Sequence, residues 1–340
     1  MKLPDRTFTT VHAEPGPRPL WVGLFGPSGG GKTFSALLLA KGIQSVVDGR
    51  INFIDTESGR GLHYADLFDY DYTPLPPPHG SLDYLAAITH AVKGKGARIV
   101  IVDSLSHEHD GEGGMIEFQE TEMRRLGGDD WQKQERVKML AWTKPKAARK
   151  QLLRGMLAFG TEAVFILCFR ADEQSKPVKK GDKTEVIQMG FMPIAGKPFV
   201  YEATVCALLM PGANGVPTWN PENVGEKLMR KLPEQFKKMF SATEGKPLSE
   251  EHGRLMAEWA KGGSAGKPPR QSPPPPTDKT LVERVDVAVG RISTKATAEK
   301  VNQAYDACSQ LITELVSAEQ GALLDKLVGA RDDRLRELAK

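Results

Sequence analysis

One glycine-rich segment of the 340-residue chain, GPSGGGKT at residues 26–33, carries the residue types that bind phosphate. It matches the spacing GxxxxGK[ST] and lies between an apolar run ending at Phe25 and a helical pattern starting at Lys32. Glycines let successive backbone N–H groups point at phosphate oxygens, and a helix N-terminus adds a favourable dipole. Lys32 would reach the β- and γ-phosphates, and the Thr33 hydroxyl would bind Mg²⁺. A plain glycine-rich turn is the alternative interpretation. The predicted binding residues are Gly26, Pro27, Ser28, Gly29, Gly30, Gly31, Lys32 and Thr33.

Two acidic strand ends supply the carboxylates that such a site needs. The run IVIVD at residues 99–103 ends in Asp103, which is placed to order Mg²⁺. The run FIDTE at 53–57 offers a general base that would activate the attacking water. From the spacing alone either Asp55 or Glu57 could serve, and solvated loop acids are the alternative interpretation.

These residues need a scaffold, and the hydropathy pattern predicts an α/β fold with a mostly parallel sheet. Short apolar runs alternate with helical patterns, which is typical of a parallel sheet covered on both faces. Ser81 begins one helical pattern that Gly94 and Gly96 end. The predicted strands lie near residues 20–25, 51–54, 99–102, 164–169 and 205–210, and the predicted helices lie near 34–47, 81–92 and 145–158.

The composition divides the chain into four parts. Residues 1–19 form an N-terminal arm and residues 20–261 the α/β domain. Residues 262–278, with six prolines and no large apolar side chain, read as a linker, with a long ordered loop as the alternative. Residues 279–340 show apolar spacing typical of two or three helices, and their ten basic residues balance ten acidic ones.

The overall composition excludes several classes of protein. Apolar residues make up 40% and charged residues 26%, the balance of a soluble chain with a core. A net charge of +3 confines any nucleic-acid binding to local patches. Three distant cysteines exclude a disulfide framework and a cysteine zinc site. The histidines of HEHD at 107–110 lie in a predicted loop, so zinc is disfavoured there. With no apolar run long enough for a membrane span and no secretory signal, we expect a cytoplasmic protein.

The order GPSGGGKT, FIDTE, IVIVDS resembles the RecA-type ATPase core, and most closely the RecA-like ATPases of phages, including single-strand annealing and recombination proteins. The resemblance covers about residues 18–240. It implies ATP and Mg²⁺ as ligands, Glu57 as the catalytic base, and action on single-stranded DNA in phage recombination or repair. It also implies a homo-oligomer in the cytoplasm of the host. Three weaker motifs accompany it: an aromatic-basic helix at 142–149, a strand ending in Arg170, and a Tyr-Glu strand at 201–202.

The sequence departs from RecA at one strand end. RecA has an Asn-Gln pair where this chain has Cys168-Phe169-Arg170, so the glutamine that reports the γ-phosphate to the DNA loops is missing. Arg170 is therefore a candidate for contacting the phosphate, with an ordinary surface ion pair as the alternative.

Two basic segments are candidates for DNA binding. Residues 124–154 hold ten basic and three acidic side chains with Trp131 and Trp142 between them, a mixture that suits stacked bases and phosphates. Residues 175–183 hold four lysines where RecA-type proteins carry a mobile DNA-binding loop. A solvated helical face and a plain exposed hairpin are the respective alternatives. The candidate residues are Lys144, Lys146, Arg149, Lys176, Lys179, Lys180 and Lys183.

A second hypothesis for the whole protein is a nucleotide-gated loader or assembly factor, which would hydrolyse ATP slowly and recruit a protein partner through its helical tail. A small-molecule kinase is disfavoured because the sequence shows no arginine cluster typical of a lid. The sequence lacks the Asn-Lys-x-Asp signature for guanine, so ATP is preferred over GTP through the resemblance.

Overall fold

A computed structural model describes residues 9–10, 12–180, 183–194, 197–262, 281–317 and 320–339. The chain divides into two compact units, Met1–Gly266 and Lys267–Lys340. Residues 1–8 and 11 of the predicted arm, and residues 263–278 of the predicted linker, lie outside the described residues.

The first unit is built on a mostly parallel sheet, as the hydropathy pattern predicts. In the described residues the strands are β1 (Trp21–Gly26), β2 (Arg50–Asp55), β3 (Asp71–Pro74), β4 (Ala97–Asp103), β5 (Val164–Lys180), β6 (Lys183–Pro193) and β7 (Val205–Leu208). Their order across the sheet is β3-β2-β4-β5-β1-β7, with every neighbouring pair parallel. Strand β6 pairs with β5 in antiparallel register.

Helices cover this sheet and extend beyond it. Those described in the first unit are α1 (Lys32–Gln44), α2 (Ser81–Thr89), α3 (His107–Asp110), α4 (Met115–Gly127), α5 (Trp131–Ala141), α6 (Thr143–Ala158), α7 (Lys197–Glu202), α8 (Val224–Met229), α9 (Glu234–Ala242) and α10 (Glu250–Ala260). A 3₁₀ turn spans Arg60–Tyr64, and a π turn over His90–Gly94 continues α2. No helix in the described ranges is long and apolar enough to cross a membrane.

The apolar strands are buried because both faces of the sheet carry a hydrophobic layer. All six residues of β1 are buried. Since successive side chains of a strand point to opposite faces, Phe25 packs in one layer with Leu167, and Leu24 packs in the other with Leu39 of α1. Burial on both faces explains why these strands read as continuous apolar runs.

The sheet order decides where the functional candidates meet. Strand β5 lies between β1 and β4, and β4 lies beside β2. Parallel strands end at the same edge of a sheet, so the loop after β1, the acids after β2 and the acid that ends β4 come together there.

Three sequence predictions of local structure are wrong. Strand β5 does not end near Arg170 but runs on to Lys180, where β6 pairs with it as a two-stranded ribbon. Tyr201 and Glu202 end helix α7 rather than a strand. Residues His107–Asp110 form a short helix rather than a loop.

The second unit is a small helical bundle. Its described helices are α11 (Leu281–Ser293), α12 (Ala298–Asp306), α13 (Ser309–Ser317) and α14 (Gly321–Leu338), so the described part holds four where the spacing predicted two or three. The core contains Val285, Ile292, Val301, Leu315 and Leu327.

Candidate functional site

The glycine-rich loop joins the end of β1 to the start of α1. A Cβ on Gly31 would lie 2.6 Å from the Gly215 backbone nitrogen, and one on Gly30 would lie 2.7 Å from the Leu209 carbonyl oxygen. Gly31 also has a φ of 87°, in the left-handed region. The loop therefore needs glycine at these positions because a second backbone segment passes directly against it.

Lys32 lies inside the curve of this loop. Its Nζ donates to the carbonyl oxygens of Gly26 at 2.9 Å and Pro27 at 2.8 Å. Burial lowers the pKa of Lys32, while the nearby Asp103 and Glu57 carboxylates act in the opposite direction. The loop thus holds a cation that an incoming phosphate would meet.

Thr33 and Asp103 connect the loop to the end of β4. The Thr33 hydroxyl donates to Asp103 Oδ2 at 2.6 Å. Burial raises the pKa of Asp103 to about 6; the charges of Glu57 and Asp55 add to this, and Thr33 and Lys32 oppose it. A hydroxyl and a buried carboxylate are oxygen donors of the kind that Mg²⁺ prefers.

Asp55 holds the loop that follows β2. It is buried, and its oxygens accept from the Glu57 N–H at 2.6 Å, the Gly61 N–H at 2.9 Å and the Tyr72 hydroxyl at 3.1 Å. Burial, with Asp55 adding to it, raises the pKa of Tyr72 to about 12, so the hydroxyl stays a donor. These three bonds give Asp55 a structural role, and between the two acids the geometry favours Glu57 as the base.

Two arginines hold the Glu57 carboxylate, whose side chain is 10% exposed. Arg170 donates to Glu57 Oε1 from Nε at 2.9 Å and from Nη2 at 2.8 Å. Arg60 Nη1 lies 2.9 Å from Oε2. Arg170, 44% exposed, thus forms the ion pair named above as the alternative, and its contact with phosphate stays a prediction.

A polar network lies behind Glu57. Ser104 N donates to Thr56 Oγ1 at 2.8 Å, Thr56 Oγ1 lies 3.0 Å from Ser104 O, and the Tyr84 hydroxyl donates to Ser104 O at 2.7 Å. His107 Nδ1 lies 2.8 Å from Thr56 Oγ1. Sequence reasoning missed this network, although a run of polar residues directly after the β4 acid signals it.

The glycine-rich loop, Glu57, Asp103 and Arg170 line one cleft of about 680 Å³ at the edge of the sheet. Arg60, His63 and Tyr64 also line it and were not among the sequence candidates, although a basic and aromatic segment directly after Glu57 could have indicated them. The predicted residues that line it are Pro27, Ser28, Gly29, Gly31, Lys32, Thr33, Glu57, Asp103 and Arg170.

One predicted DNA-binding residue is engaged elsewhere. Arg149 forms a charged pair with Glu108, which is fully buried, and its Nε lies 3.0 Å from Oε2. Arg149 itself is only 12% exposed, so the prediction that it contacts DNA is corrected: its guanidinium neutralises a buried carboxylate.

The two other basic candidates of residues 124–154, Lys144 and Lys146, are exposed and have different neighbours. Lys144 pairs with Glu122 at 2.8 Å, and Lys146 lies 6.0 Å from the centre of the Trp142 ring. Trp131 is 71% exposed, so it is not a core residue.

The lysines of the 175–183 segment lie on the ribbon rather than in an irregular loop. Lys176 pairs with Ile187 and Lys179 with Thr184, and both lysines are exposed. Three positions apart, they point to opposite faces of the ribbon. Lys180 pairs with Lys183 at its tip, and the side chains of these two lie outside the described residues.

No family model matches the chain, and no curated protein does. A search of solved structures finds similarity to the crystal structure of a KaiC-like protein from the hyperthermophilic archaeon Pyrococcus horikoshii. The identity is 14%, the match covers 52% of this chain and 81% of that chain, and the TM-score is 0.25.

Proposed function

We propose that this chain binds ATP with Mg²⁺ and hydrolyses it. The observation that carries the proposal is the hydrogen bond of 2.6 Å between Thr33 and Asp103, which joins the glycine-rich loop to the acid of β4. Lys32 and Glu57 line the same cleft. The alternative, a plain glycine-rich turn, does not account for a hydrogen bond to a buried acid that lies 70 residues away in sequence.

Mg²⁺ fits this donor set because Asp103 is a buried carboxylate whose charge is costly without a cation. Thr33 and Asp103 would hold the ion, directly or through its water ligands. When bound, the ion would neutralise negative charge on the phosphate oxygens. Lys32 would exchange its two carbonyl partners for phosphate oxygens, which form stronger bonds because they are charged.

Glu57 would take the proton of the attacking water, and for this it must release one of its arginines. Arg170 is the candidate to leave, since it is half exposed and lines the cleft with Lys32. It would exchange the carboxylate for a phosphate oxygen. Arg170 would then both pair Glu57 in the nucleotide-free state and contact the γ-phosphate in the loaded state.

The test is steady-state ATPase activity and ATP affinity of three variants. Lys32→Ala should lose ATP binding, and Glu57→Gln should bind ATP but turn over at least ~100-fold more slowly, the usual contribution of a general base. Lys41→Ala, an exposed lysine on the same helix, is the matched control and should retain both. Unchanged turnover in Lys32→Ala would refute the proposal.

We further propose that the ATPase acts on single-stranded DNA. Exposed Lys176 and Lys179 on the ribbon offer cations for phosphates, and the exposed Trp131 on α5 offers a ring on which an unpaired base can stack, which supports this proposal. The finer roles, a homo-oligomer acting in phage recombination or repair, follow from the resemblance alone.

Salt dependence tests the DNA proposal. If about four phosphates are neutralised, log K against log salt should slope near −3, at about −0.7 for each phosphate. The double variant Lys176→Ala/Lys179→Ala should flatten the slope and remove any stimulation by DNA. Lys237→Ala/Lys238→Ala on α9 is the matched control. Absence of binding even at low salt would refute the DNA role.

One observation favours the second candidate, a partner-binding assembly factor. A groove of about 400 Å³ in the helical unit is lined by residues that include Arg291, Lys295, Val287, Ala304 and Leu311. This charge pattern suits an acidic peptide with aliphatic side chains.

Binding of a fluorescent peptide of alternating glutamate and leucine tests the groove. Arg291→Glu/Lys295→Glu should abolish binding, and Lys300→Glu/Arg336→Glu should retain it. Equal binding by both double variants would refute the groove as the site.

A further inference from the structure

His107 lies directly behind the proposed base. It opens the short helix α3, four residues after Asp103, and its side chain is 12% exposed. Nδ1 is 2.8 Å from Thr56 Oγ1, and Nε2 is 3.9 Å from Glu57 Oε1. The imidazole therefore lies between the polar network and the Glu57 carboxylate.

The hydrogen bond to Thr56 allows either tautomer of His107, and the neighbouring Glu57 carboxylate distinguishes between them. The single hydroxyl hydrogen of Thr56 has two possible acceptors, Ser104 O at 3.0 Å and His107 Nδ1 at 2.8 Å. Ser104 O already accepts from Tyr84. If Thr56 donates to Nδ1, Nε2 carries the hydrogen on the side of Glu57, whose Oε1 would have to approach from 3.9 Å to accept it. The other tautomer would turn a lone pair of Nε2 toward the carboxylate, which is repulsive.

His107 is also kept neutral. Burial lowers its pKa, and Arg170 and His79 act in the same direction, against Glu57 and Asp110. The ring of His79 lies 5.2 Å away, centre to centre. His79 Nε2 lies 3.1 Å from the Leu75 carbonyl, while its Nδ1 is buried with no hydrogen-bond partner.

We propose that His107 is a positioning residue for Glu57: its neutral Nε2–H keeps the carboxylate aimed into the cleft when Arg170 turns to the phosphate. A positive charge at the position of His107 would also hold the Glu57 carboxylate, but it would lower the affinity of that carboxylate for a proton. A neutral donor orients the carboxylate without neutralising it. The inference rests on the proposed ATPase function.

Three variants test it in the full-length protein. His107→Phe keeps the ring and removes both nitrogens, and it should lower kcat about 10- to 100-fold with KM and ATP affinity unchanged, because a misplaced catalytic group costs up to ~100-fold. His107→Gln places an amide N–H near the position of Nε2 and should recover most of the activity. His90→Phe, at an exposed histidine, is the control and should match the wild type.

The same assay separates this inference from the ATPase proposal. Full turnover in Glu57→Gln would refute the base and with it the role of His107. An inactive Glu57→Gln beside a fully active His107→Phe would refute only the positioning role.

A second measurement does not depend on the folding of His107→Phe. ¹⁵N NMR of the wild-type histidines, assigned by comparison with His107→Gln, should show a neutral ring protonated at Nε2 at pH 7.5. A ring protonated at Nδ1, or at both nitrogens, would overturn the inference.

Discussion

Replacing Asp103 by asparagine should stabilise the nucleotide-free protein. The carboxylate is buried, and its pKa is raised from 3.8 to about 6. One pKa unit is worth about 1.4 kcal/mol, so the charged form costs the native state about 3 kcal/mol above pH 6. Between pH 3.8 and about 6 the native state keeps a proton that the unfolded chain has released. The contribution of Asp103 to stability is therefore present at low pH and lost as the pH rises through that window.

Urea unfolding followed by tryptophan fluorescence measures this effect, because all five tryptophans lie in the unit Met1–Gly266. The amide oxygen of the substituted side chain can still accept the Thr33 hydrogen bond, so Asp103→Asn should exceed the wild type by up to about 3 kcal/mol at pH 7.5 and match it near pH 4. Excess Mg²⁺ and ATP should stabilise the wild type by ~2.7 kcal/mol at a hundred times Kd and the variant by much less. A variant less stable than the wild type at pH 7.5, or a difference that does not grow between pH 4 and 6, would refute the reasoning.

Three further predictions concern the surrounding structure. Arg149→Met should lower the free energy of unfolding by about 3–5 kcal/mol, measured in urea, because it leaves Glu108 buried and unpaired; an unchanged midpoint would contradict the buried pair. Asp55→Asn, measured by ATPase assay, should lower turnover less than Glu57→Gln does, since Asp55 holds the loop without facing the water; the opposite ranking would make Asp55 the base. A chain ending at Gly262 should keep its urea midpoint and its basal ATPase activity, and loss of either would show that the α/β unit depends on the helical one.

The sequence alone predicts that the glycine-rich loop, Asp103 and the pair Asp55 and Glu57 lie near one another, because their signals are local. Each lies at the end of an apolar run, and parallel strands bring such ends to one edge. The choice between the two acids needed the structure, since it depends on the bonds that Asp55 makes to Gly61 and Tyr72.

The errors concern partners that are distant in sequence. Arg149 reads as one more cation in a basic stretch, and only the fold brings it to Glu108, 41 residues earlier. The extension of β5 depends on β6, whose pairing no hydropathy period reveals. The contact of His107 with Thr56 was missed for the same reason, because Thr56 follows β2 and lies 51 residues earlier in the chain.

Strand β5 makes the cleft and the lysine-bearing ribbon parts of one continuous strand. The same strand pairs with β1 and β4 in the sheet, passes the cleft at Arg170 and continues to Lys180. At about 3.3 Å per residue, the ten residues from Arg170 to Lys180 span about 33 Å. A tilt of about 10° at Arg170 moves the tip by about 6 Å on that length. Any displacement of the backbone at Arg170 would therefore be larger at the tip of the ribbon than at the cleft.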